Sequence, residues 1–374
     1  MAKRTIICLD GTGNEVKADS VTNVFKVSEI AQLTELSAEQ MANGGIQQVL
    51  YYGPGVGTLP SATARNRIER WTSKVVGGSG LGHGMRTDIG EAYTYLMNTW
   101  EPHDEVFVFG FSRGAYTARA LCGMLYRVGL MRPGSENLIP YALRVYAREP
   151  GRNSDLAVPG GWDLMDRFAG GLSRTINKDS LAFPIKFLGL FDTVKGTGII
   201  GPDITWPYTN QLPNVERVAH AVSIDENRKP FRESLISQPP LKPGQIRDEV
   251  WFAGIHSDIG GSFDGHPGLG KITMRWVLDK AIAAGMQVRP ARYANRYTLA
   301  ESDATEPPNA NTGLLWKVAG HANRTIPPEA RVHVSVATRR DHAGSKYRPR
   351  LPDGVQWEGE QQWWGPPTPA GSPR

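Results

Sequence analysis

Along this chain, short apolar runs alternate with longer segments in which apolar residues recur every three or four positions. Thr5 to Asp10, Gln47 to Tyr52, Glu105 to Ser112, Ile185 to Asp192 and Glu249 to His256 have the length and hydrophobicity of strands buried on both faces. Helical spacing marks Asn23 to Leu33, Met85 to Trp100, Gly114 to Leu130, Asn214 to Ile224 and Leu269 to Met286. In Met85 to Trp100 the residues Ile89, Ala92, Tyr93 and Leu96 share one side, which suits a helix laid on a sheet. Strands alternating with helices predict an α/β fold, a mostly parallel sheet flanked by helices. Two stretches break the rhythm, near residues 58–83 and 133–181, and read as lid-type insertions. The pattern weakens after Pro290. Residues 1–290 are therefore expected to form the α/β domain and 291–374 a C-terminal extension, ending in "WWGPPTPAGSPR" as a poorly ordered tail.

Composition narrows this picture only slightly. With 374 residues, 40% hydrophobic and 21% charged, the chain has the make-up of a soluble globular protein with a sizeable core. No stretch approaches twenty apolar residues, and the apolar part of "MAKRTIICLD" is too short for a secretory signal. The expectation is a protein cytoplasmic as synthesised, without a transmembrane helix. Cys8 and Cys122 both fall inside apolar patterns and read as buried thiols, not as a disulfide or a metal site. A net charge of +5 is too mild to argue for a nucleic-acid partner.

Chemistry enters at "DEVFVFGFSRGAYTARALCGML". An apolar run ends in Gly110-Phe111-Ser112-Arg113-Gly114, and helical spacing starts at once, the context in which a Gly-x-Ser-x-Gly serine becomes a nucleophile elbow. Gly110 and Gly114 remove side chains where the turn reverses, and Ser112 is lifted to a helix N-terminus that favours negative charge. A serine hydroxyl needs a base oriented by a carboxylate. In the chain order this fold requires, "IKFLGLFDTV" ends its apolar run near Asp192 and "EVWFAGIHSDIGGSF" ends its run at His256. Asp258 stands two residues further on and is read as shaping the "DIGG" turn, with Asp192 as the acid.

The first apolar run stops at "DGTGN". A phosphatase loop would present Asp-x-Asp-Gly-Thr, with the first aspartate as nucleophile, but Cys8 occupies that position. The alternative is a backbone loop whose N–H groups stabilise an oxyanion, with Gly11 and Thr12 as candidate donors beside the N–H of Arg113. Asp10 is read as fixing that loop through its own backbone.

The ordered set "LDGTGNE", "TNVFKV", "YYGPGVGT", "GFSRGAYTARALCG", "LGLFDTV" and "WFAGIHSDIGGSF" resembles the catalytic domain of type VI secretion phospholipase effectors with a Gly-x-Ser-x-Gly elbow, long catalogued as a domain of unknown function. The resemblance covers the chain up to about Pro290. It implies an α/β-hydrolase core, a triad of Ser112, Asp192 and His256, and hydrolysis of phospholipid carboxyl esters without metal or organic cofactor. It further implies export by a type VI system, with a secretion or immunity partner. The basic residues Arg65, Arg67, Arg70 and Lys74 around Trp71 fit peripheral contact with a lipid surface, and equally a solvated loop. The same triad would also serve a soluble small-molecule esterase or thioesterase, and the fold alone would serve a non-catalytic binding module.

Overall fold

A computed structural model describes residues 3–11, 21–34, 45–55, 78–147, 161–176, 180–195, 206–236, 241–262, 265–309 and 320–367. In chain order, β1 (Arg4–Leu9) leads to α1 (Asn23–Ile30) and β2 (Gln48–Gly53), then to α2 (Gly78–Thr99), β3 (Glu105–Phe111) and α3 (Arg113–Arg127). Next come α4 (Ile139–Ala147), α5 (Gly161–Leu172), β4 (Ile185–Phe191), β5 (Val215–Ser223), β6 (Ile246–Phe252), the single turn α6 (His256–Ile259) and α7 (Gly268–Ala283). The chain then adds α8 (Pro290–Tyr297), β7 (Arg331–His333), α9 (Ser335–Asp341) and β8 (Gln356–Glu358).

These strands form one eight-stranded sheet in the order β2-β1-β3-β4-β5-β6-β7-β8. Every neighbouring pair is parallel. Alternation along the strands sends Ile6, Cys8, Phe107 and Phe109 to one face, where α1, α7 and α8 pack, and Ile7, Leu9, Val106 and Val108 to the other, where α2, α3 and α4 pack. The architecture is thus the helix-flanked parallel sheet that the alternating pattern implies, and it is α/β-hydrolase-like, as the resemblance implies. After β1 the chain places β2 on one side, and then crosses to place β3 on the other. Open α/β sheets form their clefts at such a reversal, beyond the strands' C-terminal ends.

Some expectations need correction. Asn214 to Ile224 is not a helix. Val215–Ser223 is the interior strand β5, hydrogen-bonded on both edges and buried along most of its length, so no period-two alternation marks it. His220, expected mid-helix, accordingly lies on a strand. The run ending at His256 leaves the sheet earlier: β6 stops at Phe252, and His256 opens α6. Beyond Pro290 the chain contributes β7 and β8 to the same sheet, and Trp363, in the segment read as a tail, is buried in its core. Residues 368–374 lie outside the described residues.

One contact holds the cleft's geometry. A Cβ on Gly114 would stand 2.2 Å from the Leu9 carbonyl oxygen, backbone that cannot swing aside. Helix α3 can therefore begin against the end of β1 only because residue 114 has no side chain. Gly114→Ala should lower stability by about 1–3 kcal/mol, the usual cost of overpacking, read as a lower urea midpoint. An unchanged midpoint would mean that the β1–α3 approach is soft.

Candidate active site

Ser112 sits between β3 and α3 with φ 59° and ψ −126°, a backbone region that non-glycine residues seldom occupy. The strain is held by its surroundings. The Ser112 N–H donates to the Phe191 carbonyl oxygen at 3.0 Å, and a Cβ on Gly110 would come within 2.6 Å of the Ala115 Cα. Asp192, just beyond β4, also has a positive φ of 43°, and its N–H donates to the Ala221 carbonyl at 2.8 Å. Two adjacent strands thus end in left-handed residues that turn their side chains into one space above the sheet.

His256 meets both. Its Nδ1 lies 2.5 Å from Asp192 Oδ2, and its Nε2 lies 2.9 Å from Ser112 Oγ. An ionised carboxylate only accepts, so the ring proton belongs on Nδ1, and Nε2 is left to accept from the serine hydroxyl. The imidazole is gripped from the sides by Phe111, stacked at 4.7 Å between ring centroids, and by the edge of Phe231 at 4.8 Å. Behind Phe111, Gly260 leaves the room the ring needs, since a Cβ there would fall 2.2 Å from it. The His256 N–H donates to Glu226 Oε2 at 3.2 Å, and Glu226 is itself paired with Arg228.

Asp258 is placed elsewhere: Oδ2 accepts the Ile255 N–H at 2.9 Å and Oδ1 accepts from Asn309 Nδ2 at 2.6 Å. The carboxylate at the imidazole is Asp192. Asp10 accepts from the Gly11 N–H at 2.7 Å, from Thr22 Oγ1 at 2.5 Å and from the Tyr52 hydroxyl at 2.8 Å, which ties the loop after β1 to α1 and β2. The Gly11 N–H is thereby turned toward Asp10, which counts against Gly11 as an oxyanion donor in this geometry. Thr12 lies outside the described residues. Arg113 opens α3, so its N–H has no helical carbonyl four residues earlier to donate to and stands outside the intrahelical ladder. Burial lowers its guanidinium to about 10, opposed by Asp88 on α2. Burial likewise raises Asp88 to about 7, with Glu91 adding to the rise and Arg113 opposing it. Arg65, Arg67, Arg70, Trp71 and Lys74 also lie outside the described residues. Among the described residues, no group of three or more His, Cys, Asp or Glu is arranged to hold a metal ion.

Sequence reasoning missed the cation of the site. Arg324 Nη1 and Nη2 donate to Asp192 Oδ1 at 2.5 Å and Oδ2 at 2.8 Å. Burial alone would raise the Asp192 carboxyl, but Arg324 and His256 outweigh it and hold the group well below the ordinary carboxylate range. The surrounding "ANRTIPPE" has neither apolar periodicity nor a motif, and carries no signal of this contact.

Residues 3–280 match the family model of the T6SS phospholipase effector Tle1-like catalytic domain. The chain belongs to that family. Ser112, Asp192 and His256 fall inside the matched span of the Tle1-like domain, and Arg324 lies beyond it. An uncharacterized Saccharomyces cerevisiae protein, YEL023C, is 31% identical over 244 residues, 64% of this chain and 34% of that relative. The chain thus spans about a third of that relative's length. Among solved structures, an uncharacterized Pseudomonas aeruginosa protein is similar over 81% of this chain and 50% of its own, at 18% identity and a TM-score of 0.44. A Tle1 effector bound to the VgrG spike of a type 6 secretion system is similar over 85% and 83%, at 14% identity and a TM-score of 0.42. Among the described residues of this Tle1-like chain, no helix is long and apolar enough to cross a membrane.

A carboxyl held below its unfolded value adds stability above that value, and the gain is lost as pH falls through the folded one. Asp192→Asn would strand Arg324 as a buried cation, costing about 3 kcal/mol near neutrality. The wild-type advantage over this variant should then shrink as pH drops below about 4, where the unfolded carboxyl protonates. Urea midpoints of the two proteins at a series of pH values measure it, and a gap that does not narrow in acid would contradict the assignment of charge.

Proposed function

We propose that this Tle1-like domain is a serine hydrolase of carboxyl esters, and that its substrates are phospholipids. The observation that supports the chemistry best is the continuous contact of Ser112 Oγ, the His256 imidazole and the Asp192 carboxylate, at 2.9 Å and 2.5 Å, on a strained strand-to-helix turn. In the proposed sequence Ser112 Oγ attacks the acyl carbonyl while His256 Nε2 takes the hydroxyl proton. Asp192 keeps the imidazole in the tautomer that can accept it. The Arg113 N–H and a second donor, for which Thr12 is the candidate, meet the oxyanion. His256 returns the proton to the departing alcohol, leaving an acyl-serine. Water then repeats the steps, with His256 as its base, and frees the fatty acid.

The lipid part of the proposal rests on family membership. Delivery through a type VI apparatus rests on the same ground, as does an immunity protein to oppose it. The basic, tryptophan-bearing stretch from Arg65 to Lys74 is the proposed surface contact.

Ser112→Ala should lower kcat by about 10⁴-fold or more while the protein stays folded, and Asp192→Asn should cost more activity than Asp258→Asn. Near-normal ester turnover by the serine variant would end the proposal. On vesicles, fatty-acid release should rise with anionic lipid and fall as salt is added, because each surface Lys or Arg contributes about 1 kcal/mol that fades within a Debye length. Replacing Trp71 with its basic neighbours should depress vesicle activity and spare a short-chain ester. Brisk cleavage of the short ester, with no phospholipid cleaved, would replace the lipid reading by a soluble esterase.

A further inference from the structure

We infer that Arg324 is a positioning residue for the reaction, a clamp that holds both oxygens of Asp192 and aims the carboxylate at His256. The inference rests on the serine-hydrolase reading of Ser112, Asp192 and His256.

Asp192 is fully buried, and four donors converge on it. Oδ1 accepts from the Ser223 N–H at 2.8 Å and from Arg324 Nη1, and Oδ2 accepts from His256 Nδ1 and from Arg324 Nη2. The planar guanidinium matches both oxygens at once and so fixes the rotation of the carboxylate as well as its position. The same guanidinium reaches past Asp192. Nη1 donates to the Ser223 carbonyl at 3.1 Å and Nη2 to the Phe231 carbonyl at 2.7 Å. Phe231 is the ring whose edge meets His256, so one side chain binds the acid, the end of β5 and one wall of the imidazole's slot.

Its own placement is secured. The Ala322 N–H donates to the Asn227 carbonyl at 2.8 Å, and the Lys229 N–H donates to the Gly320 carbonyl at 3.1 Å. These bonds zip the segment preceding Arg324 onto the loop after β5. The Thr325 N–H donates to Glu233 Oε1 at 3.3 Å.

The charged groups around Asp192 define what loss of the clamp would do. Arg324 faces it directly, with His256 from α6. Glu226, bonded to the His256 N–H and paired with Arg228, and Glu233, whose Oε2 lies 3.9 Å from Arg324 Nε, are the flanking carboxylates. Removing Arg324 leaves a buried carboxylate with two like charges nearby and only the His256 Nδ1–H and the Ser223 N–H as donors. Burial, which favours the neutral acid, then prevails at higher pH. A neutral Asp192 cannot support the imidazolium formed in the reaction.

The experiment compares wild type, Arg324→Met and Arg324→Lys. Kinetics on a short-chain ester should show kcat reduced by about 10²-fold in the methionine variant with KM changed little, since the loss is one of alignment. The acid limb of its kcat profile should move to higher pH by about one unit or more, and the lysine variant, which keeps the charge without the fork, should recover the limb better than the rate. An arginine that served folding alone would leave the limb where it is, and an unmoved limb in a folded methionine variant overturns the inference. Low-field proton NMR of the hydrogen-bonded His256 Nδ1–H gives a readout independent of turnover. In wild type this resonance should persist into acid, and in Arg324→Met it should broaden or vanish at higher pH. If wild-type protein proves inactive on every ester, the serine-hydrolase reading fails by itself. The resonance still decides the clamp, and identical pH behaviour in the two proteins overturns it.

Discussion

A carboxylate sealed from water must be compensated within the protein, and Asp192 is such a group, placed where three parallel strands end together. Desolvation of a lone buried charge is costly enough that the acid would ordinarily take up a proton. Here a bidentate guanidinium, a backbone N–H and an imidazole N–H share its four contacts. The end of β4, the end of β5, the turn at His256 and the segment around Arg324 are consequently fixed against one another. Displacing any one of them would uncover the charge.

Around that centre the positions are set mostly by shape. Ser112 is forced upward by a turn that Gly110 and Gly114 alone permit, because a Cβ at either would strike backbone atoms. His256 is held by ring contacts with Phe111 and Phe231 as well as by its hydrogen bonds, so its plane is defined even when the proton moves. Arg228 lies over the Phe231 ring, 3.9 Å from its centroid, and pairs with Glu226. In the proposed reaction, an imidazole so held would spare the entropy of arranging it beside the hydroxyl.

Ser112, Asp192 and His256 were legible in the sequence because each stands where an apolar run gives way to glycine or polar residues, and a parallel sheet gathers such junctions on one edge. The five strands that frame them were legible for the same reason. Strand β5 was not, since Val215, Val218 and Val222 lie on an interior strand whose two buried faces erase the alternation, leaving spacing that imitates a helix. Strands β7 and β8, three residues each, are too short to register as apolar runs. Arg324 was invisible for a different reason. Its importance comes from a partner 132 residues away, and nothing in its neighbours records that contact.

That separation bears on how the molecule comes into being. Ser112 and His256 are 144 residues apart, and the guanidinium that completes the Asp192 cluster is supplied later still in the chain. Contacts so distant form slowly, because the loops they close must be ordered first. At ribosomal speeds of about 5–20 residues per second, a nascent chain carries Ser112 for on the order of ten seconds or more before His256 and Arg324 have both been made. A polypeptide interrupted before Arg324 would contain Ser112, Asp192 and His256 and lack the guanidinium that pairs with the Asp192 carboxylate. The order of synthesis thus delays full assembly of the cluster until the chain has passed β6 and α8, just ahead of β7 and β8.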